Sequence, residues 1–285
     1  MTDSIHIVEC PRDAMQGMKD FVPTELKIDY LNHLLQCDFD TLDFGSFVSP
    51  KAIPQMKDTA EVLKGLNLNA KTKLLAIIAN ERGAEEAASF EEITYLGYPF
   101  SISEEFQKRN TNASIEDSLH RVEAIKNSAI KNKKEVVLYL SMGFGNPYGE
   151  KWNPELVFHW SERLHQEFEI DILALSDTIG CATPEIVKQL FVDLIPALPH
   201  VTFGAHLHTT IENAKPILEA AIKGGCKRFD GAVKGFGGCP MAKDDLTGNM
   251  PTEIILNYLN DHQLNHQVQM DKFKHAYDFS AQIFH

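Results

Sequence analysis

Eight short apolar runs, at residues 6–10, 41–45, 73–79, 92–98, 135–141, 171–176, 201–208 and 228–234, alternate with longer stretches in which apolar residues recur at helical spacing. The short runs have the length and flanking punctuation of buried strands. The amphipathic stretches at 25–36, 114–131, 154–167, 184–197 and 213–223 have the period of helices that lay one face on a sheet. Several begin with helix-entry chemistry: Ser114 stands three residues before Asp117, and Asn153-Pro154 and Thr183-Pro184 pair a capping side chain with a proline at the first helical position. Strand–helix alternation repeated eight times predicts a parallel sheet covered by helices, closed as a (β/α)8 barrel. An open nucleotide-binding sheet would carry a G-x-G-x-x-G turn after its first strand, whereas this turn reads Cys10-Pro11-Arg12-Asp13-Ala14. No linker or shift in composition divides the chain. One catalytic domain over residues 1–285 is expected, with the tail from about Pro251 adding helices to the barrel.

Composition narrows the function classes. The chain is 44% hydrophobic and 24% charged, an ordinary globular balance, and its 27 basic against 40 acidic residues give a net charge of −13. Nucleic-acid binding needs a basic excess and is disfavoured; an anionic substrate has to be met by local cations against the overall field. The five cysteines (10, 37, 181, 226 and 239) are odd in number and include no C-x-x-C pair. This argues against a disulfide framework or a structural zinc site and for a reducing compartment. Residues 1–9 show neither a signal-peptide core nor an Arg-rich presequence, no apolar run reaches the roughly 18 residues of a membrane span, and the last residues carry no S-K-L address. A cytoplasmic protein without membrane association is expected.

A barrel enzyme builds its active site where the C-terminal ends of its strands meet. The polar groups that fall there are Arg12, Asp13 and Gln16 after the first strand, Asp43 near the end of the second, Asp177 at the end of the sixth, and His206 and His208 at the end of the seventh. Two histidines two apart on a strand project to the same face, here the lumen. An H-x-H strand can also be hydrogen-bonded structure and nothing more. Opposite the carboxylate of Asp13, and with Asp177 and Asn249 at other mouth positions, the pair reads as a mixed nitrogen–oxygen pocket for a divalent cation. After the eighth strand, Gly235-Phe-Gly-Gly-Cys239-Pro240 is a glycine loop that ends on a cysteine. It is either a turn leaving the strand or a movable loop that carries a reactive thiol over the mouth.

Taken in order along the chain, Glu9-Cys-Pro-Arg-Asp-Ala-Met-Gln16, Ser46-Phe-Val-Ser-Pro-Lys51 with Pro54-Gln-Met56, Ser176-Asp-Thr-Ile-Gly180, His206-Leu-His208, Gly237-Gly-Cys-Pro240 and Gly248-Asn249 resemble the hydroxymethylglutaryl-CoA lyase family of metal-dependent barrel lyases. The resemblance implies that Asp13, His206, His208 and Asn249 bind the metal, Mg2+ or Mn2+. It implies that Arg12 neutralises charge on the substrate carbonyl oxygen, that Cys239 acts as acid and base near the reacting carbon, and that Asp43, Asp177 and Glu253 assist. Three departures bear on detail: Asp43 stands where the family typically has Glu, Thr209 where Asp is common, and the stretch before Arg12 is shorter by about one residue.

The implied reaction is cleavage of 3-hydroxy-3-methylglutaryl-CoA to acetyl-CoA and acetoacetate, with Asp13 or His206 taking the hydroxyl proton. Lys51, Lys108 and Arg109 are candidates to meet the phosphates of the acyl-CoA, or are solvated surface charges. The same family implies a homodimer. Two enzyme alternatives stay open, an acetyl-CoA-dependent condensing synthase and a 2-oxo-acid aldolase. A catalytically silent metal-binding barrel is the non-enzyme reading, against which the set Arg12, Asp13, His206, His208 and Cys239 weighs.

Overall fold

The computed structural model describes residues 4–238 and 247–284; Cys239 and Pro240 lie outside the described residues. Strands β1 (His6–Glu9), β2 (Thr41–Ser46), β3 (Lys73–Ile77), β4 (Ile93–Ser101), β5 (Glu135–Ser141), β6 (Ile172–Asp177), β7 (Thr202–Thr209) and β8 (Arg228–Gly231) pair in parallel, each with the next in sequence. The eighth pairs back to the first, with Val8 opposite Asp230 and Glu9 opposite Gly231. The sheet is therefore the closed (β/α)8 barrel that the alternation predicts. Closure leaves no unpaired edge among these eight strands. A ninth strand, β9 (Gly248–Asn249), lies antiparallel on the end of β7 and sets Asn249 opposite His208.

The apolar side chains divide as a barrel requires. Leu42, Phe44, Leu74, Leu138, Leu140, Leu173 and Leu175 face the helices and join the main core. Leu75, Ile77, Val137, Tyr139 and Ala174 form a separate cluster inside the lumen, at alternate positions of β3, β5 and β6. Helix entries follow the local chemistry. Ser114 and Asp117 form a full capping box at the helix Ile115–Lys131, and Asn153 and Thr183 cap the helices Pro154–Phe168 and Pro184–Ala197. The helix expected from residue 213 starts earlier, at Ile211, because Asn213 is the third residue of a second capping box whose cap is Thr210.

Other boundaries also differ from the sequence reading. The eighth run ends as a strand at Gly231, where Val233 and Thr252 begin to bond to other elements. The segment after β1 is a helical turn, Pro11–Gln16, rather than a plain loop. Glu9, fully buried, accepts hydrogen bonds from the Val233 amide (2.9 Å) and the Thr252 hydroxyl (2.5 Å). It thereby ties the end of β1 to the segment after β8 and to the tail helix Thr252–Asp261. Burial pushes its carboxyl up to about 8, against the two hydrogen bonds it accepts.

At the opposite, N-terminal rim, Asp40 clamps β1 to β2: it takes the Ile7 amide at 2.9 Å and the His6 ring Nδ1 at 2.7 Å. The hydrogen bond to Asp40 raises the His6 pKa, with partial burial opposing. A raised imidazole stabilises the fold while it is protonated, so this contribution is complete below the ordinary value and fades as pH climbs through the raised one. His6→Gln is therefore expected to lower the urea midpoint relative to the parent at about pH 6 and to match it at about pH 9. A difference that persists undiminished at the higher pH would contradict this sign.

Candidate metal centre at the barrel mouth

The Pro11–Gln16 turn leaves β1 with proline at its first position and carries Arg12, Asp13 and Gln16. Residues three and four apart on a helix are neighbours. Accordingly, Arg12 Nη1 reaches Asp13 Oδ1 (2.8 Å) and Gln16 Oε1 (2.9 Å), and Gln16 Nε2 also donates to Asp13 Oδ1 (2.8 Å). The rest of the guanidinium grips Asp43, with Nε at 3.0 Å and Nη2 at 2.5 Å from Oδ2. Of the five N–H groups of an arginine, one on Nη2 is left without an acceptor among the described residues. Burial works against the charge of Arg12, but Asp43 and Asp13 overcome it and keep the group firmly protonated. Burial likewise opposes the Asp13 carboxylate; Arg12, the two histidines and Asn249 outweigh it and hold its pKa down at about 2.

From β7, the two imidazoles converge on Asp13. One ligand atom from each of Asp13, His206 and His208 lies within 4.8 Å of the others, close enough to share one ion. The tautomers are set from behind. His208 Nδ1 faces the Thr178 carbonyl at 3.1 Å and must be the protonated nitrogen, so Nε2 carries the lone pair. That buried Nε2 has no hydrogen-bond partner among the described residues. Burial, then the neighbouring His206, lowers the His208 pKa to about 4, so the ring is neutral, as a metal ligand must be. His206 Nδ1 faces Asp230 Oδ2 at 3.2 Å. A buried orphan lone pair beside a carboxylate and a second imidazole is the donor set of a divalent cation, and these residues fit one.

Asn249 enters from β9. Its amide nitrogen donates to Asp13 Oδ2 (2.6 Å) and to the Phe236 carbonyl (2.9 Å), which joins the glycine loop to the cluster. A second group within 4.8 Å of one another, Cys10 with His206 and Asp230, lies deeper. Burial, with Asp230 and Asp43, pushes the Cys10 thiol well above its ordinary range, so it stays protonated. Asp230 is also engaged by Arg228. Within that set Asp230 already holds Arg228 and His206.

The remaining sequence candidates are placed as follows. Asp43, expected at a strand end, sits inside β2, fully buried beneath Arg12, and burial raises its pKa. Asp177 turns back on its own loop, accepting the amides of Cys181 (3.0 Å) and Ala182 (2.9 Å). Glu253 accepts the Lys234 amide at 3.0 Å, at a residue whose φ is +61°. Neither Asp177 nor Glu253 has its carboxylate in the Asp13–His206–His208 cluster. Lys108 and Arg109 lie within the helix Glu104–Thr111, not in a connection, and pair with Glu104 and Glu105. Lys51 is exposed in the loop after β2. Asp230, Arg228 and Glu9 are the buried charged groups near this face that sequence reasoning missed. Arg228 and Asp230, two apart on a short strand, are the one signal that would have exposed a charged lumen face.

A cavity of about 170 Å³ opens over the cluster, lined by Arg12, Gln16, Tyr139, Ser141, Ser176 and Asn110 among others. A somewhat larger one, about 220 Å³, lies beside it between the loop after β2 and the start of the helix Glu81–Ala88, with Lys57 and Arg82 at its wall. The smaller cavity is the one lined by Asp13, His206 and His208 together.

The sequence model of the HMGL-like family matches residues 5–279. The cytoplasmic 3-hydroxy-3-methylglutaryl-CoA lyase of Rattus norvegicus is 35% identical, with the match covering 98% of this chain and 81% of that protein. The crystal structure of an HMG-CoA lyase from Brucella melitensis superimposes with a TM-score of 0.91 at 29% identity, covering 99% of both chains. An HMG-CoA lyase from Acinetobacter baumannii, solved with coenzyme A and 3-methylmalate, gives 0.90 at 28% identity over 100% of this chain and 94% of that one.

A cation that binds only the folded state raises stability by mass action, by about 2.7 kcal/mol at a hundredfold excess over Kd. Mn2+ is therefore expected to raise Tm in the parent protein, with one ion bound per chain by calorimetry. His208→Gln is expected to abolish most of that rise. An undiminished shift in the variant would remove His208 from the site.

Proposed function

The chain belongs to the HMGL-like family, and on that premise we propose that it is a metal-dependent carbon–carbon lyase that cleaves 3-hydroxy-3-methylglutaryl-CoA to acetyl-CoA and acetoacetate. What carries the reading is the three-residue cluster with its orphaned His208 nitrogen at the mouth of a barrel whose relatives bear that name. A catalytically silent barrel would have no use for an arginine held beside such a cluster.

The proposed holders of the cation are Asp13, His206, His208 and Asn249, and Mg2+ or Mn2+ suits their mixed oxygen and nitrogen donors. When bound, the cation would lower the pKa of the substrate's tertiary hydroxyl and orient it. Asp13 and His206, which line the cavity, are the candidate bases for that hydroxyl, and one of them takes its proton. The C3–O bond then becomes the carbonyl of acetoacetate as the C2–C3 bond breaks, and the electron pair passes to C2 as the enolate of acetyl-CoA. Arg12 supplies a permanent positive charge and one uncommitted N–H for the enolate oxygen. Asp43 keeps the guanidinium fixed, so little reorganisation is needed when the negative charge develops. Cys239 returns a proton to C2: a thiol with an ordinary pKa near 8.5 is mostly protonated at neutral pH. Asp177 and Glu253 serve by shaping the loops that they bond.

Lys57 and Arg82, at the wall of the neighbouring cavity, are better placed than Lys108 or Arg109 to meet the phosphates of the acyl-CoA, since those two are paired with glutamates. Among the described residues no helix is long and apolar enough to cross a membrane. A cytoplasmic location, a homodimer and a single catalytic unit over the whole chain belong to the same proposal.

Purified protein with Mg2+ and 3-hydroxy-3-methylglutaryl-CoA is expected to release acetoacetate, and to form no product from acetyl-CoA plus 2-oxo acids. The reverse pattern would make it a synthase. Loss of a general acid costs about a hundredfold to ten-thousandfold, so Cys239→Ala should fall by that order in kcat while keeping its Mn2+ affinity. Near-full turnover would refute the role of the thiol.

A further inference from the structure

His206 meets the metal cluster through one ring nitrogen, and the choice of nitrogen is made on the far side of the ring. Across the β7–β8 seam, Gly204 stands opposite Arg228 and His206 opposite Asp230. These four positions are two apart on their strands and face the lumen together. Arg228 Nη1 donates to Asp230 Oδ1 at 3.0 Å, and Asp230 Oδ2 lies 3.2 Å from His206 Nδ1. Arg228 and Asp230 are both buried, at 7% and 3% exposure. Gly204 makes the room: a Cβ there would lie 2.9 Å from Arg228 Nη1.

We infer that Arg228 and Asp230 are positioning residues for the metal centre, holding His206 with Nδ1 protonated so that the lone pair of Nε2 points at the ion shared with Asp13 and His208. The inference rests on the metal-site reading above. Its chemical basis is a matter of donors and acceptors. A carboxylate beside a guanidinium stays ionised and can only accept. The one ring nitrogen that can face it is therefore an N–H, and the other must carry the lone pair. Gly204 belongs to the same packing, since a Cβ there would press on Arg228 Nη1, the nitrogen that bonds Asp230. An ion pair that merely filled the lumen would stabilise the barrel without choosing a tautomer.

Asp230→Asn tests the difference, because an amide has one oxygen and Arg228 has only donors to offer. The oxygen turns to Arg228, the NH2 faces His206, and the imidazole must accept at Nδ1 and carry its proton on Nε2. In the metal-free variant at alkaline pH, where the imidazoles are neutral, nitrogen NMR should show His206 switched to the Nε2–H tautomer. Mn2+ affinity should fall about ten- to a hundredfold, the usual consequence of losing such a partner. Adding Arg228→Met releases the amide oxygen to face His206 again, so the double variant should regain the Nδ1–H tautomer and most of the affinity. If Asp230→Asn keeps the Nδ1–H tautomer and the parent affinity while losing only Tm, or if the double variant binds no better than the single one, the positioning role is wrong. Neither readout involves acyl-CoA, so failure here is distinct from failure of the lyase assignment.

Discussion

Asp13 and His206 can share an ion because β8 lies hydrogen-bonded between β1 and β7. The two residues are far apart in sequence, and neither the β1 turn nor the β7 strand has a reason of its own to meet the other. Barrel closure supplies it. Once Glu9 stands opposite Gly231 and His206 opposite Asp230, the start of the Pro11–Gln16 turn and the end of β7 are one strand apart at the same rim. Glu9 reinforces that seam from the outside, through Val233 and Thr252. β9 caps it from above, through Asn249.

The lumen is divided by chemistry. Along β3, β5 and β6 it is apolar, with Leu75, Ile77, Val137, Tyr139 and Ala174 in contact. Along β7, β8, β1 and β2 it carries His206, His208, Arg228, Asp230, Cys10 and Asp43. Charges taken out of water are tolerated only when paired and hydrogen-bonded. Each guanidinium here meets that condition, Arg12 between Asp13 and Asp43 and Arg228 on Asp230. Among the described residues the pairs leave unspent one N–H of Arg12, Nε2 of His208, Nη2 of Arg228 and the hydroxyl of Tyr139, whose ring packs edge-on against His206 with centroids 5.3 Å apart. Charged groups held in fixed pairs are preorganised, because water does not have to rearrange when charge develops beside them.

Much of this is legible in the amino-acid sequence. The eight apolar runs give the strand count, and the H-x-H spacing puts both imidazoles on one face whatever surrounds them. Arg12 and Asp13 are assigned to the mouth because they follow the first run directly. What the sequence hides is long-range. Asp43 looks like a mouth residue by its place near a run's end, yet β2 continues to Ser46 and buries it under Arg12. Asp177 reads as a free carboxylate, but its two oxygens are taken by amides only four and five residues ahead. Asp230 has no local signal beyond its spacing from Arg228. Its meaning comes from register with His206 across a seam that only closure creates, and from a glycine on the neighbouring strand.

In the proposed centre Asp13, His206 and His208 bind one divalent cation among them. Anomalous diffraction from crystals grown with Mn2+ reads this directly. A single strong peak is expected within coordination distance of Asp13 and of Nε2 on both histidines. A peak seated instead between Cys10, His206 Nδ1 and Asp230, or one with no histidine nitrogen in reach, would contradict it.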